Sequence, residues 1–181
     1  MTKTQTARTK KVETTSAKKI QSRLPFGPTN GRVAKATASS SSSSAKAKTD
    51  ILISIKPVFM NAIVQREKNH EFRKYLISHE VQRMWLYVSS PDQTLRYIAT
   101  VSKGKRPGEV ESEDGMGNAD FNAGLKESKY AYEIKELYEL KEPLSLASMK
   151  ARYGETFPQR FSYVSTRMKE GIVLEDQIRL F

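Results

Sequence analysis

The stretch that decides the fold is DILISIKPVFMNAIVQREKNHEFRKY, residues 50–75. In residues 51–56, isoleucine occupies every second position, and this alternation predicts a β-strand with one strongly apolar face. Pro57 ends that strand and suits the first turn of a helix, where its missing N–H costs nothing. Apolar side chains then recur at helical spacing, so we expect a short helix over residues 57–67. A second strand is expected around residues 69–75.

Two more strands are predicted downstream. The third covers residues 83–89 and contains Trp85, the only tryptophan of the chain. The fourth covers residues 94–103, where the alternate residues from Leu95 to Val101 are expected to occupy one apolar face. A Pro-Asp turn separates these two strands.

The rest of the sequence predicts irregular structure and one ambiguous segment. Residues 104–124 are typical of a long loop, with a short helical turn capped by Asn118. Residues 129–141 fit either a strand or a helix on periodicity alone. A helix is predicted over residues 145–153 and a last short strand over residues 161–164. Together these elements predict an α+β or small-barrel fold.

Charge is distributed unevenly along the chain. Residues 1–49 contain 11 basic side chains and one acid, a net charge of +10, whereas residues 50–181 contain 20 and 19, a net charge of +1. The first segment also has a run of six serines and few large apolar residues, so it predicts a disordered basic tail. We expect the domain over residues 50–165, followed by a C-terminal extension, residues 166–181, that packs on it or trails from it. Attraction to phosphate therefore rests mostly on the tail.

Several classes of protein are excluded by composition. Without cysteine, the chain has no disulfides, thiolate metal sites or cysteine nucleophiles. No apolar run approaches the roughly 18 residues of a membrane span, so no membrane partner is expected. Lysine pairs in the tail favour a nuclear location, with a cytoplasmic or mitochondrial location as the alternative. No cofactor and no metal is expected, because the acidic cluster lacks calcium-loop spacing and two histidines make a poor zinc site.

The segment that joins the first two strands resembles a known family signature. Residues 54–57, Ser-Ile-Lys-Pro, precede the helix, and Lys68, Glu71 and Arg73 follow it in the order of a Gly-x-Lys-x-x-Glu-x-Arg motif. This pattern resembles the ASCH domain of the PUA-like superfamily, with Arg66 in place of the glycine.

The resemblance implies a small, mostly antiparallel PUA-like β-barrel with short helices, and it favours a long bent strand over residues 129–141. The phrases PGEV, GNADFNAG and ELYELK, within residues 107–141, extend the similarity to fungal ASCH-like proteins. Relatives in this superfamily include the EVE and YTH domains, with readers of modified bases, RNA-binding modules and amidohydrolases of a modified cytidine among them. The fold alone does not choose among these activities.

The motif residues are candidates for a ligand site. Glu71 and Arg73 share a face of their strand, and Lys68 joins them if it lies in the preceding turn. A carboxylate and two cations suit a planar base, since the carboxylate accepts from an amino or imino group and the cations donate to carbonyl or phosphate oxygens. Ser54 and Lys56, at the end of the first strand, are candidates for the same site.

Three further side chains complete the candidate ligand-binding set. Trp85 and Tyr87 lie on one face of the third strand, and aromatic rings stack on bases in sites for single strands and flipped bases. Most aromatic residues of a small barrel belong to its core, and Trp85 is the first choice for stacking. Asn118, from the long loop, is the last candidate.

We therefore predict a nucleic-acid-binding module, whose pocket takes a base, modified or unmodified, and whose tail contacts phosphates. DNA and RNA both remain open as partners, and so does the oligomeric state. The alternatives are a small hydrolase of a modified nucleoside, with Lys68 and Glu71 as its catalytic pair, and a protein-interaction adaptor. The related amidohydrolases place a nucleophilic threonine three residues after the lysine, where this chain has Glu71, so the residues favour binding over catalysis.

Overall fold

The computed structural model describes residues 48–181 of the chain. The predicted tail and its lysine pairs lie outside the described residues, apart from Lys48 and Thr49. Within the described part, no helix is long and apolar enough to cross a membrane. The elements, in chain order, are β1 (Asp50–Ile55), α1 (Pro57–Val64), β2 (His70–Arg73), β3 (Arg83–Val88), β4 (Thr94–Val101), α2 (Asn118–Asn122), β5 (Tyr130–Ser145), α3 (Leu146–Tyr153), β6 (Ser162–Tyr163), α4 (Thr166–Gly171), a 3₁₀ turn (Leu174–Asp176) and β7 (Ile178–Arg179).

The strands form one curled sheet in the order β2-β5-β4-β3-β1-β6, and β7 pairs with β5. Among the described residues, β1 and β3 are parallel and the other strand pairs are antiparallel. The long β5 connects β2 to the rest of the sheet, because it pairs with β2 near its start and with β4 along the rest of its length. The sheet curls into a half-barrel with a few short helices, which confirms the predicted α+β, mostly antiparallel architecture.

Both faces of the central strand β1 are buried. Ile51, Ile53 and Ile55 pack in a first core cluster that includes Met60 of α1. Leu52 faces the other way and packs in a second cluster, which contains methionines of α3 and α4. The sequence predicted one apolar face for this strand, and helices from the C-terminal third of the chain bury the other.

A β-bulge at Arg96 changes which residues of β4 share a face. The pairing register shifts between Leu95 and Tyr97 on both neighbouring strands. Leu95 therefore packs with Ile98 in the second cluster, whereas Tyr97 and Ala99 pack in the first. The prediction that Leu95 and Tyr97 share one face was wrong, because the extra residue of a bulge interrupts the alternation of side chains.

The ambiguous segment is a strand, as the resemblance implied: β5 extends from Tyr130 to Ser145. Val110 and Phe121, from the segment of residues 104–124, pack with Ala131 of β5 in a third apolar cluster. At the other end of the chain, α4 contributes to the second cluster and β7 pairs with the middle of β5, so the C-terminal extension packs on the sheet.

Candidate ligand-binding site

A pocket of about 280 Å³ opens beside β2. This volume lies just below the roughly 300–1,000 Å³ of typical ligand pockets, so it suits one small planar group such as a single base. Two of the predicted motif residues, Lys68 and Glu71, belong to its wall. The complete lining comprises Phe59, Lys68, Glu71, Phe72, Met116, Lys126, Glu127 and Ser128.

Lys68 enters the pocket from the turn between α1 and β2. The chain reverses there because Arg66 adopts a left-handed conformation, with φ of 64°, and the Lys68 N–H donates to the Ala62 carbonyl at 3.0 Å. Glycine adopts this conformation most readily, and the motif that this segment resembles has glycine at this position. Arg66 keeps the geometry of the turn, and the Lys68 side chain comes to lie beside Glu71.

The Lys68 ammonium is almost enclosed, with 5% of its side chain exposed. It donates to the His70 carbonyl, lies 3.4 Å from Oε2 of Glu71, and lies 4.3 Å from the centre of the Phe72 ring. Burial lowers the pKa of Lys68 below its ordinary value, while the neighbouring Glu71 carboxylate raises it in part. The pocket therefore contains a largely desolvated cation resting on an aromatic face.

Glu71 is held between two cations. Its Oε1 lies 3.0 Å from Nη2 of Arg73, and its Oε2 faces Lys68. The same Arg73 nitrogen donates to the Ser54 carbonyl at 3.1 Å, which ties β2 to the end of β1. The Ser54 hydroxyl donates elsewhere, to the Pro158 carbonyl at 2.9 Å. The structure thus brings Lys68, Glu71 and Arg73 together, and Ser54 joins them through its main chain.

Six of the eight predicted ligand-binding residues are absent from the pocket lining: Ser54, Lys56, Arg73, Trp85, Tyr87 and Asn118. Trp85 is 2% exposed in the second core cluster, and its Nε1 donates to Oδ1 of Asp50 at 2.9 Å. Tyr87 is equally buried and stacks on Phe157, with 5.7 Å between ring centres. Both rings belong to the second core cluster, and Tyr87 borders a separate cavity of about 240 Å³ together with Phe157, so neither ring contributes to the pocket beside β2. Lys56 is exposed at the N-cap of α1.

Asn118 holds the loop that borders the pocket. Its side chain is fully buried, and its Nδ2 donates to Oδ1 of Asn69 at 2.9 Å. The predicted capping role was wrong, because Gly117, with φ of 80°, is the N-cap and Asn118 is the first residue of α2. By anchoring residues 104–124 to the start of β2, Asn118 supports the position of Met116 in the pocket wall.

His70 lies next to the motif as a neutral imidazole. Its Nδ1 lies 2.8 Å from Oδ1 of Asn69, and because that oxygen accepts hydrogen bonds, Nδ1 carries the proton. Its Nε2 is buried and has no hydrogen-bond partner among the described residues. Burial, and to a smaller extent the charge of Lys105, lowers the pKa of His70 from 6.5 to about 4.

Sequence reasoning missed most of the pocket lining. Phe59, Met116 and Lys126 come from a helix and from two places around α2, and no motif connects them. Phe72 lies within the quoted motif, and its position between Glu71 and Arg73 is the one signal that could have found it.

Comparisons with known proteins bear on the fold. No family model matches the chain, and no curated protein matches it. Among solved structures, the ASCH protein of Zymomonas mobilis superposes with a TM-score of 0.53 at 19% identity, covering 72% of this chain and 96% of that one. The described residues have the ASCH fold. Two single-residue variants of the Zymomonas protein give the same result. The first variant has a TM-score of 0.52 at 20% identity and covers 69% of this chain and 94% of that one. The second variant has a TM-score of 0.51 at 17% identity and covers 71% of this chain and 99% of that one.

At 17–20% identity the likeness concerns the backbone, so the roles of individual residues are argued from this chain's own contacts. The similarity to fungal ASCH-like proteins stays a prediction.

Proposed function

We propose that this protein binds nucleic acid, and that the pocket beside β2 takes one base, modified or unmodified. The observation that carries the proposal is the enclosed pair of Lys68 and Glu71 against the ring of Phe72, in a pocket of about 280 Å³. Charged groups are rarely enclosed without a partner, and here donors, acceptors and an aromatic face converge on one space. This combination matches the edge and face of a base.

Lys68 and Glu71 supply complementary hydrogen-bonding groups. The ammonium has three protons, of which the His70 carbonyl and the Glu71 carboxylate take two, so one can donate to a carbonyl or ring nitrogen of a ligand. The carboxylate oxygens each contact a cation and retain lone pairs for an amino or imino group. A base edge that offers a donor beside an acceptor therefore fits this pair.

The basic tail extends the proposal to the phosphates. Residues 1–49 carry a net charge of +10, and lysine and arginine side chains bind the backbone by releasing condensed counterions. RNA is the first partner to test, because the PUA-like domains that the sequence resembles include RNA-binding modules. A nuclear location, with access to RNA and DNA, belongs to the same proposal.

The test compares two glutamates that line the same pocket. Glu71→Gln changes the enclosed carboxylate, and Glu127→Gln makes the same change at an exposed carboxylate that pairs with Lys74. We expect Glu71→Gln to change the ranking of nucleosides and short oligonucleotides in a fluorescence-anisotropy competition panel, and Glu127→Gln to preserve it. Identical rankings for both variants and the parent would remove the pocket from the proposal.

The geometry favours binding over hydrolysis. Both oxygens of Glu71 contact cations, and Glu71 stands where the related amidohydrolases place a nucleophilic threonine, so no hydroxyl is available there to attack an amide. We therefore expect no release of cytidine when the protein is incubated with acylated cytidines. A chromatographic assay that shows robust release, abolished by Lys68→Ala, would establish a hydrolase instead.

A further inference from the structure

A row of alternating rings and cations leads away from Arg73 along the edge of the sheet. We name it the aromatic–cation strip: its members are Tyr75, Arg160, Phe161, Tyr163 and Lys48. It lies where β6 forms the edge of the sheet and pairs with β1, so no further strand of the described residues covers it.

Cations and rings alternate within the strip at contact distance. The Arg160 guanidinium lies 4.0 Å from the centre of the Tyr75 ring and 5.9 Å from that of Phe161. Lys48 Nζ lies 4.9 Å from the centre of the Tyr163 ring. The rings also contact one another, since Phe161 lies 5.5 Å from Tyr75 and 5.8 Å from Tyr163 between centres.

The strip adjoins Arg73, beside the proposed base pocket, at one end, and at the other it ends at Lys48, which follows the basic residues 1–47 in sequence. The Tyr75 hydroxyl donates to the Arg160 carbonyl at 2.8 Å and interacts with the Arg73 side chain, whose partner is Glu71 of the pocket. Lys48 is the first described residue, and residues 1–47 before it contain ten basic side chains and one acid.

The strip's cations have no acidic partner within the part of the chain that the structure describes. Among the described residues, no carboxylate forms an ion pair with Lys48 or Arg160, whereas Arg83, Arg96 and Arg179 each have one. Arg160 is exposed, and 37% of Tyr163 is exposed. A structural role in fastening the segment before β6 would explain the ring contacts, but it leaves both charges without a counterion among residues 48–181.

We propose that the aromatic–cation strip binds single-stranded nucleic acid, with bases stacking on Tyr163 and its neighbours and phosphates contacting Arg160 and Lys48. The inference rests on the proposed nucleic-acid function and adds that the bound nucleic acid is single-stranded. Stacking requires unpaired bases, so a single strand fits where a duplex does not. The strand would continue toward the pocket, which takes one of its bases.

The experiment uses the full chain and a short single-stranded RNA, with the duplex of the same sequence as the comparison. Tyr163→Leu removes the ring and keeps apolar bulk, and Tyr163→Phe keeps the ring. We expect Tyr163→Leu to weaken single-strand binding about fivefold or more, with duplex binding unchanged and Tyr163→Phe at the parental affinity. Arg160→Gln should lower the slope of log affinity against log salt concentration by about the amount that one phosphate contact contributes.

The outcomes separate the strip from the pocket. If Tyr163→Leu leaves single-strand affinity unchanged, or weakens the duplex equally, the strip does not stack on bases, and the Glu71→Gln comparison still decides the pocket. If Tyr163→Leu weakens the single strand while Glu71→Gln has no effect on ligand ranking, the strip stands and the pocket fails. If no oligonucleotide binds the parent protein, both are wrong.

Discussion

Lys68 Nζ lies 3.4 Å from Oε2 of Glu71, and 5% and 11% of the two side chains are exposed. Enclosed ion pairs of this kind add little net stability, because removing both charges from water offsets most of their attraction. Removing only one partner is different, since it leaves the other charge enclosed and unpaired. We therefore expect single replacement of Glu71 to be costly, because it leaves the enclosed Lys68 and the neighbouring Arg73 without a counterion.

From this relationship we predict that Glu71→Gln lowers the free energy of unfolding by about 1–3 kcal/mol, because Lys68 and Arg73 lose their shared counterion. Glu127→Gln, at an exposed pair with Lys74, should leave stability unchanged. Urea denaturation of both variants checks this. Equal losses would mean that enclosure of the Glu71 charge is unimportant for stability.

His70 predicts a specific pH dependence of stability. Its pKa is about 4 in the folded protein and 6.5 as the ordinary value, so the unfolded chain binds a proton more readily. Stability from this group is fully present above pH 6.5 and is lost as the pH falls toward 4. His70→Gln should flatten the curve over this interval by up to about 3 kcal/mol. The same pKa should appear in an NMR titration of the imidazole, and a value near 6.5 would contradict the prediction.

At position 66, we expect glycine to give a more stable protein than alanine, which is the reverse of their usual order. The φ of 64° at this position strains any residue with a Cβ, so Arg66→Gly should be more stable than Arg66→Ala by about 1 kcal/mol. Both variants lose the contact of the Arg66 guanidinium with the Phe181 ring, at 4.8 Å, so the comparison isolates the backbone. Thermal melts of the two proteins decide it, and a more stable alanine variant would show that the turn relaxes.

We expect the fluorescence of Trp85 to be insensitive to ligand binding. Because Trp85 is 2% exposed and hydrogen-bonded to Asp50, its emission should be that of a buried indole and should not change when a base or oligonucleotide binds. Trp85→Phe should lower the free energy of unfolding by about 1–3 kcal/mol, through lost packing and an unpaired Asp50 lone pair. Strong quenching by a nucleoside would return Trp85 to the ligand site.

We expect removal of residues 1–47 to weaken nucleic-acid binding while leaving the stability of the domain nearly unchanged. These residues carry a net charge of +9, so affinity for generic RNA or DNA should fall sharply and most of its salt dependence should disappear. The melting temperature should stay nearly unchanged, because all three apolar clusters are formed by residues from Ile51 onward. A shortened protein that binds random duplex as tightly as the full chain would exclude the tail as the phosphate-binding element.

The motif and the local elements could be predicted because they depend on neighbours in sequence. The alternation in β1, the proline at the start of α1, and the Lys68, Glu71 and Arg73 series all act within a few residues, and each stands where the sequence indicated. The position of Lys68 follows from one turn, in which Arg66 adopts the conformation of a glycine.

What the tertiary structure alone decided depends on residues far apart in the chain. Trp85 is in the core because α3 and α4, more than sixty residues later, cover its face of the sheet. Leu95 changes face because Arg96 bulges against both neighbouring strands. Met116 and Lys126 reach the pocket because a long loop folds back on β2. Periodicity and motifs describe local geometry, whereas burial and a pocket's lining are set by the surfaces that folding brings into contact.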